Sequence, residues 1–171
     1  MLDNVKSIYI INEIFGNMRN KRKLNIIKYN KRILIRLNIN KEQFENYIIL
    51  KEFNKKYNTN IEDIDIKQLN LKSKYIRNEG LKIIFKIEFK ELKELYLSGN
   101  EISDINILEK VNFKELKELN LSSNEISDIN ILEKVNFKEL KVLYLSGNNL
   151  TKNENNLIIN NLKLKLKTLY V

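Results

Sequence analysis

Leucine and isoleucine return at fixed intervals through the last two thirds of the chain. Leu92, Leu95 and Leu97 are followed by Ile102, Ile105, Leu108 and Val111. The series restarts at Leu116, Leu119 and Leu121, followed by Ile126, Ile129, Leu132 and Val135. Residues 89–112 and 113–136 differ at only two of 24 positions, and a third copy opens at Phe137 with Leu140, Leu143 and Leu145. Weaker copies fit on both sides once two-residue insertions are allowed: Ile66, Leu69 and Leu71 upstream, Leu166, Leu169 and Val171 downstream. Residues 63–171 are therefore expected to form about five turns. In each turn Leu-x-Leu predicts a short strand whose two leucines share one face while the residue between them takes the other. The every-third-residue spacing that follows predicts a short helical or 3₁₀ segment. One apolar stripe per turn cannot be buried alone, so the turns must stack and the strands must pair in parallel. Phe89, Phe113 and Phe137 open successive turns and are expected to stack as a second core column.

Residues 1–62 carry a different pattern. Ile8, Ile11, Ile14, Phe15 and Met18 follow helical spacing, and Phe44, Tyr47, Ile48 and Phe53 mark a second amphipathic stretch to about Tyr57. Between them lies RNKRKLNIIKYNKRILIRL, read as one or two short helices with a basic exterior. The chain thus divides into a helical N-terminal cap, 1–62, and a solenoid, 63–171. A terminal turn needs a cover with one polar face, which is the simplest role for the cap.

The repeated motif L-x-x-L-x-L-x-x-N resembles the leucine-rich repeat family in its short intracellular and internalin-like forms. The matching positions are Leu92, Leu95, Leu97, Asn100 and Ile102, then Leu116, Leu119, Leu121, Asn124 and Ile126, then Leu140, Leu143, Leu145, Asn148 and Leu150. The resemblance implies an α/β fold: a right-handed solenoid with a parallel sheet on its concave face and short helical or 3₁₀ segments on its convex face. It also implies that Asn100, Asn124 and Asn148 form a buried structural ladder where the chain bends inward after each strand. An amide suits that place because it offers a donor and an acceptor to backbone groups that would otherwise lack partners. Lys74 stands in this frame in the first turn, which suggests an irregular or capping turn.

The segment Ile8 to Arg32 is similar to the F-box, a helical motif that docks adaptor subunits of ubiquitin ligases. The matching positions are Ile11, Ile14, Phe15, Met18, Leu24 and Ile27, with Asn30 and Lys31; the family's Leu-Pro opening and its late Trp are missing. The cap therefore has two readings, a plain cover or an F-box-like adaptor module.

Composition narrows the chemistry. Of 171 residues 43% are apolar, enough for a folded core, and His, Cys, Trp, Pro and Ala are all absent. That removes His-based triads, Cys nucleophiles, Cys or His zinc sites and disulfides. The remaining candidates, Glu101, Asp104, Glu125 and Asp128, recur from turn to turn, whereas an active site needs one unequal constellation. Asp104 and Asp128, with Ser103 and Ser127, are expected to cap the convex segments. No enzyme, cofactor or metal site is expected.

The net charge of +9 is concentrated in residues 1–62, which hold thirteen basic and six acidic side chains. Such a patch can attract nucleic acid or an anionic membrane, but without interleaved stacking aromatics a solvated helix face is the favoured reading. Asp3, Glu13 and Arg19 interrupt any signal-peptide core, and no apolar run reaches bilayer length, so a cytoplasmic protein without a transmembrane segment is expected.

The binding class follows from the strand face turned away from the leucines. Its columns hold Lys93, Lys117, Lys141 and Lys167; Glu94 and Glu118; and Tyr96, Asn120, Tyr144 and Tyr170. Tyrosine couples a large contact area to a polar tip, which suits a protein interface. The expected function is a scaffold that binds another protein through this face. The alternatives are a ubiquitin-ligase substrate adaptor and a nucleic-acid or membrane binder acting through the basic cap. The fifth strand is expected to leave an open edge that self-associates or is guarded by Lys163, Lys165 and Lys167.

Overall fold

A computed structural model of the chain describes residues 41–135 and 137–171. The adaptor-docking positions Ile11, Ile14, Phe15, Met18, Leu24 and Ile27 lie outside these residues, as does the basic stretch from Arg19 to Arg36.

The described part opens on helix α1, Lys41–Tyr57. Leu50, Phe53 and Tyr57, at helical spacing, are buried, with the Phe53 and Tyr57 rings 4.6 Å apart. The helix ends where Asn58 takes a left-handed conformation (φ 48°) and the Thr59 N–H donates to the Asn54 carbonyl, 3.1 Å, closing the last carbonyls. The Asn54 side chain then ties down the outgoing chain. Its amide donates to the Ile61 carbonyl, and its oxygen accepts from the Thr59 hydroxyl and the Ile61 N–H.

Five three-residue strands follow: β1 Gln68–Asn70, β2 Glu94–Tyr96, β3 Glu118–Asn120, β4 Val142–Tyr144 and β5 Thr168–Tyr170. They form one parallel sheet in chain order. Leu69, Leu95, Leu119, Leu143 and Leu169 stand opposite one another in register. Behind the sheet Leu97, Leu121, Leu145, Ile102, Ile126, Ile105 and Ile129 are buried in the same cluster that takes in Leu50, Phe53 and Tyr57. Ring packing follows a different column from the one expected. Phe113 stacks on Phe137 at 6.4 Å, but on its other side it meets Phe85 edge-on at 5.4 Å, while Phe89 is buried elsewhere in the core.

Turn length decides what crosses the back. Strand partners 24 residues apart (Leu95 to Leu119, Leu119 to Leu143) are joined by a 3₁₀ helix, Asn106–Lys110, and a single α-turn, α3, Ile131–Lys134. Partners 26 apart are joined by true helices, α2 Arg77–Ile84 and α4 Lys152–Lys165, neither of which the periodicity signalled. A 3₁₀ segment rises about 2.0 Å per residue and an α-helix about 1.5 Å, so extra residues on the same span are taken up by the smaller rise of the wider α-helix. Asp104 and Asp128 sit one and two residues ahead of the cap positions, Ile105 and Asn130. Each accepts the N–H two residues on, from Asn106 at 2.9 Å and Asn130 at 2.8 Å, as an Asx turn that leads into the helical segment. Ser103 is turned to the preceding turn, where its hydroxyl accepts from the Asn78 amide.

After each inner strand an asparagine enters the core. The Asn100 amide donates to the carbonyls of Leu71, Leu97 and Ser98, and its oxygen accepts from the N–H groups of Lys74 and Ile76. Asn124 repeats this one turn on, donating to Leu97, Leu121 and Ser122 and accepting from Asn100 and Ile102. Asn148 donates to Leu121 and Leu145 and accepts from Ile126. Each amide therefore bonds its own turn and the one before. The residue before each asparagine is left-handed, as Gly99, Ser123 and Gly147, and Ser73 before Lys74 is left-handed too. Lys74, in the asparagine frame of the first turn, sends its ammonium to the Asn58 carbonyl at the end of α1, 3.2 Å.

Helix α1 meets α2 at Gly80. A Cβ there would lie 2.7 Å from Cβ of Ile76 and 2.9 Å from Cζ of Tyr57. Gly80→Ala should lower the urea midpoint, with a steric cost of about 1–3 kcal/mol outweighing the roughly 1 kcal/mol that alanine gains in a helix. Asn124→Ala, which leaves buried carbonyls and N–H groups unpaired, should cost roughly 2–4 kcal/mol by equilibrium unfolding, and Asn148→Ala, at a half-buried position, should cost less.

Candidate functional site

Because strand side chains alternate, the outer residues of each strand share the face opposite the leucines. Register places Gln68, Glu94, Glu118, Val142 and Thr168 in one column, and Asn70, Tyr96, Asn120, Tyr144 and Tyr170 in the other. Lys67, Lys93, Lys117, Lys141 and Lys167 precede the strands. The carbonyls of the first four accept from the next turn: Lys67 from Lys93 and Glu94, Lys93 from Lys117 and Glu118, Lys117 from Lys141 and Val142, and Lys141 from Thr168. Of the sequence-predicted partner-binding residues, Glu94, Tyr96, Glu118, Asn120, Tyr144 and Tyr170 thus share one face of the sheet, and the lysines stand just ahead of the strands.

They are not equivalent. Tyr144 and Tyr170 stack with centroids 4.6 Å apart and planes 3° from parallel. Tyr96 donates its hydroxyl to Glu94 at 3.1 Å, and the Gln68 amide donates to the same carboxylate oxygen at 2.6 Å. Asn120 is drawn to its own backbone, where its oxygen accepts from both the N–H and the hydroxyl of Ser122. It therefore sits low between its tyrosine neighbours. The tripeptide Asn120-Leu121-Ser122 was the signal for this: an asparagine two residues before a serine is an Asx turn in waiting. Lys93 is half-buried and lies 3.6 Å from Glu115, while Lys117, Lys141 and Lys167 are exposed. The bridge from Gln68 to Glu94 was not legible in sequence, since it depends on a 26-residue register.

The electrostatics of this face centre on the two tyrosines. Tyr96 is pushed up to about 12, first by burial, then by its hydrogen bond to Glu94 and by the charges of Glu118 and Glu94. Tyr144 is raised by burial and by Glu118 and Tyr170. The carboxylates of the other face are engaged in the scaffold: Glu101 pairs with Arg77 at 2.7 Å and Asp104 lies 3.8 Å from Lys82. Among the described residues no group of acidic side chains could hold a metal ion, and no helix is long and apolar enough to cross a membrane.

Residues 90–134 match the family model for leucine rich repeats in two copies, and residues 139–163 match that for a single leucine rich repeat. The chain carries leucine-rich repeats. These repeats are generally protein–protein interaction modules and typically are not enzymes. A search of curated proteins found no match. The matched residues hold β2 to β4, so the repeat pattern and the Tyr96, Asn120 and Tyr144 column coincide.

Tyr96 should be the last tyrosine of this repeat face to ionise, near pH 12, in a titration followed by ring NMR signals. Glu94→Gln should lower that value without restoring 10, because burial is the larger cause. A raised phenol favours the protonated folded state. The stability it contributes is present below pH 10 and is lost as pH climbs through about 12.

Proposed function

We propose that the protein binds another protein through the outward, concave face of its leucine-rich repeat sheet. The observation that carries this reading is the single register column holding Tyr96, Tyr144 and Tyr170 on rigidly spaced strands. Ordered aromatic rings offer large contact area at little cost in side-chain freedom, because the repeat has already restricted them. The lysine column beside them supplies a polar margin whose charge attracts acidic groups at the edge of a partner.

Affinity capture with the full chain tests this. The double variant Tyr96→Ala with Tyr144→Ala should lose proteins retained by the wild type, while Glu109→Ala on the helical face should keep them. Unfolding should show a loss of no more than about 1–2 kcal/mol for the double variant, from lost ring packing. An unchanged set of captured proteins would remove the tyrosine column from the interface.

A further inference from the structure

The middle of the sheet face has a shape and a charge that together specify what it receives. Tyr96 and Tyr144 lie on β2 and β4, two strands apart, with the low Asn120 of β3 between them. Two strand spacings amount to about 9.5 Å. A group held between two rings needs about 3.5–4 Å on each side, so the gap accepts one planar group or one side chain. Beside this slot stands Glu118, half-buried, between Glu94 and Val142 in its column. Neither neighbour can neutralise it. Glu94 and Glu118 are register partners, an arrangement of like charges that costs stability across a sheet. Glu94 takes neutral donors from Gln68 and Tyr96, the Tyr96 hydroxyl also faces Glu118, and among the described residues no cation lies within ion-pair distance of either carboxylate. Lys93, next to Glu94 in sequence, is turned to Glu115, and Lys117, next to Glu118, is exposed to solvent. The face therefore holds two opposed carboxylates next to an aromatic-walled gap, a combination that a single incoming cation relieves.

We infer that a protein partner inserts an arginine side chain between Tyr96 and Tyr144, above Asn120, with its guanidinium paired to Glu118. Arginine fits better than lysine because a planar guanidinium stacks on rings and presents a fork to a carboxylate at once. The inference rests on the concave-face reading above and names the chemistry that face recognises.

The test uses the full, isotope-labelled chain and acetylated, amidated pentapeptides with two glycines on each side of arginine, citrulline, lysine or glutamate. The arginine peptide should move the Tyr96 and Tyr144 ring signals in a saturable way. Citrulline, which keeps the shape without the charge, and glutamate should not, and lysine should bind more weakly. Glu118→Gln should weaken the arginine peptide about five- to tenfold, as expected for losing one charge-assisted pair at a half-exposed site. Glu109→Gln, on the helical face, should leave binding unchanged. Equal binding of arginine and citrulline, no shift with arginine, or indifference to Glu118→Gln would each overturn the assignment. So would ring signals that move with protein concentration alone, which would give the slot to a second copy. If protein capture depends on Tyr96 and Tyr144 but arginine does not bind, only this inference falls. If capture is also indifferent to the tyrosines, the concave-face reading falls with it.

Discussion

Every turn of the solenoid has to bend inward after its strand, and the bend carries backbone donors and acceptors into the core, where no water can satisfy them. The asparagine column answers that constraint. Asn100 and Asn124 each bond carbonyls of two successive turns and accept two N–H groups from the preceding turn, so one side chain completes its own bend and locks it to its neighbour. The left-handed residue ahead of each asparagine, glycine or serine, aims the amide inward. With that geometry set, the leucines of adjacent turns fall into register, and burying them supplies the hydrophobic stabilisation that no single turn could provide.

The same coupling sets the properties of the outer face. Strands held in a fixed ladder place Tyr96, Asn120 and Tyr144 in one line and Glu94 opposite Glu118 whether or not these side chains suit one another. A repeat that copies a lysine and a glutamate into successive turns thus generates like-charge columns automatically. What breaks the monotony is the small set of differences between turns: Tyr96 against Asn120, and Val142 in place of a third glutamate. Those substitutions make the outward side chains of one turn differ from those of the next.

The back of the solenoid shows how a small change in length becomes a change in secondary structure. Turns of 24 residues cross with 3₁₀ or single-turn geometry, and turns of 26 wind into α-helices. Helix α2 is also the surface on which α1 lies, and Gly80 permits the approach of Tyr57. The longer first turn thereby gives α1 a helix to lie on, while Lys74, lacking an amide to bury, reaches across to the end of α1 instead.

Period, strand positions, the inward leucines and the ladder asparagines could all be read from the chain alone, because a 24-residue repeat forces each position to recur in the same environment. The second amphipathic stretch ends at Tyr57 in both the periodicity and the structure for the same kind of reason, a helical spacing of apolar groups. Tertiary structure decided what spacing cannot express. Phe85 rather than Phe89 meets Phe113, Asn120 folds back on Ser122, Tyr144 lies flat on Tyr170, and Lys93 pairs with Glu115. Each is a choice among rotamers and neighbours of similar chemistry, settled by distances between strands that lie 24 or 26 residues apart in sequence.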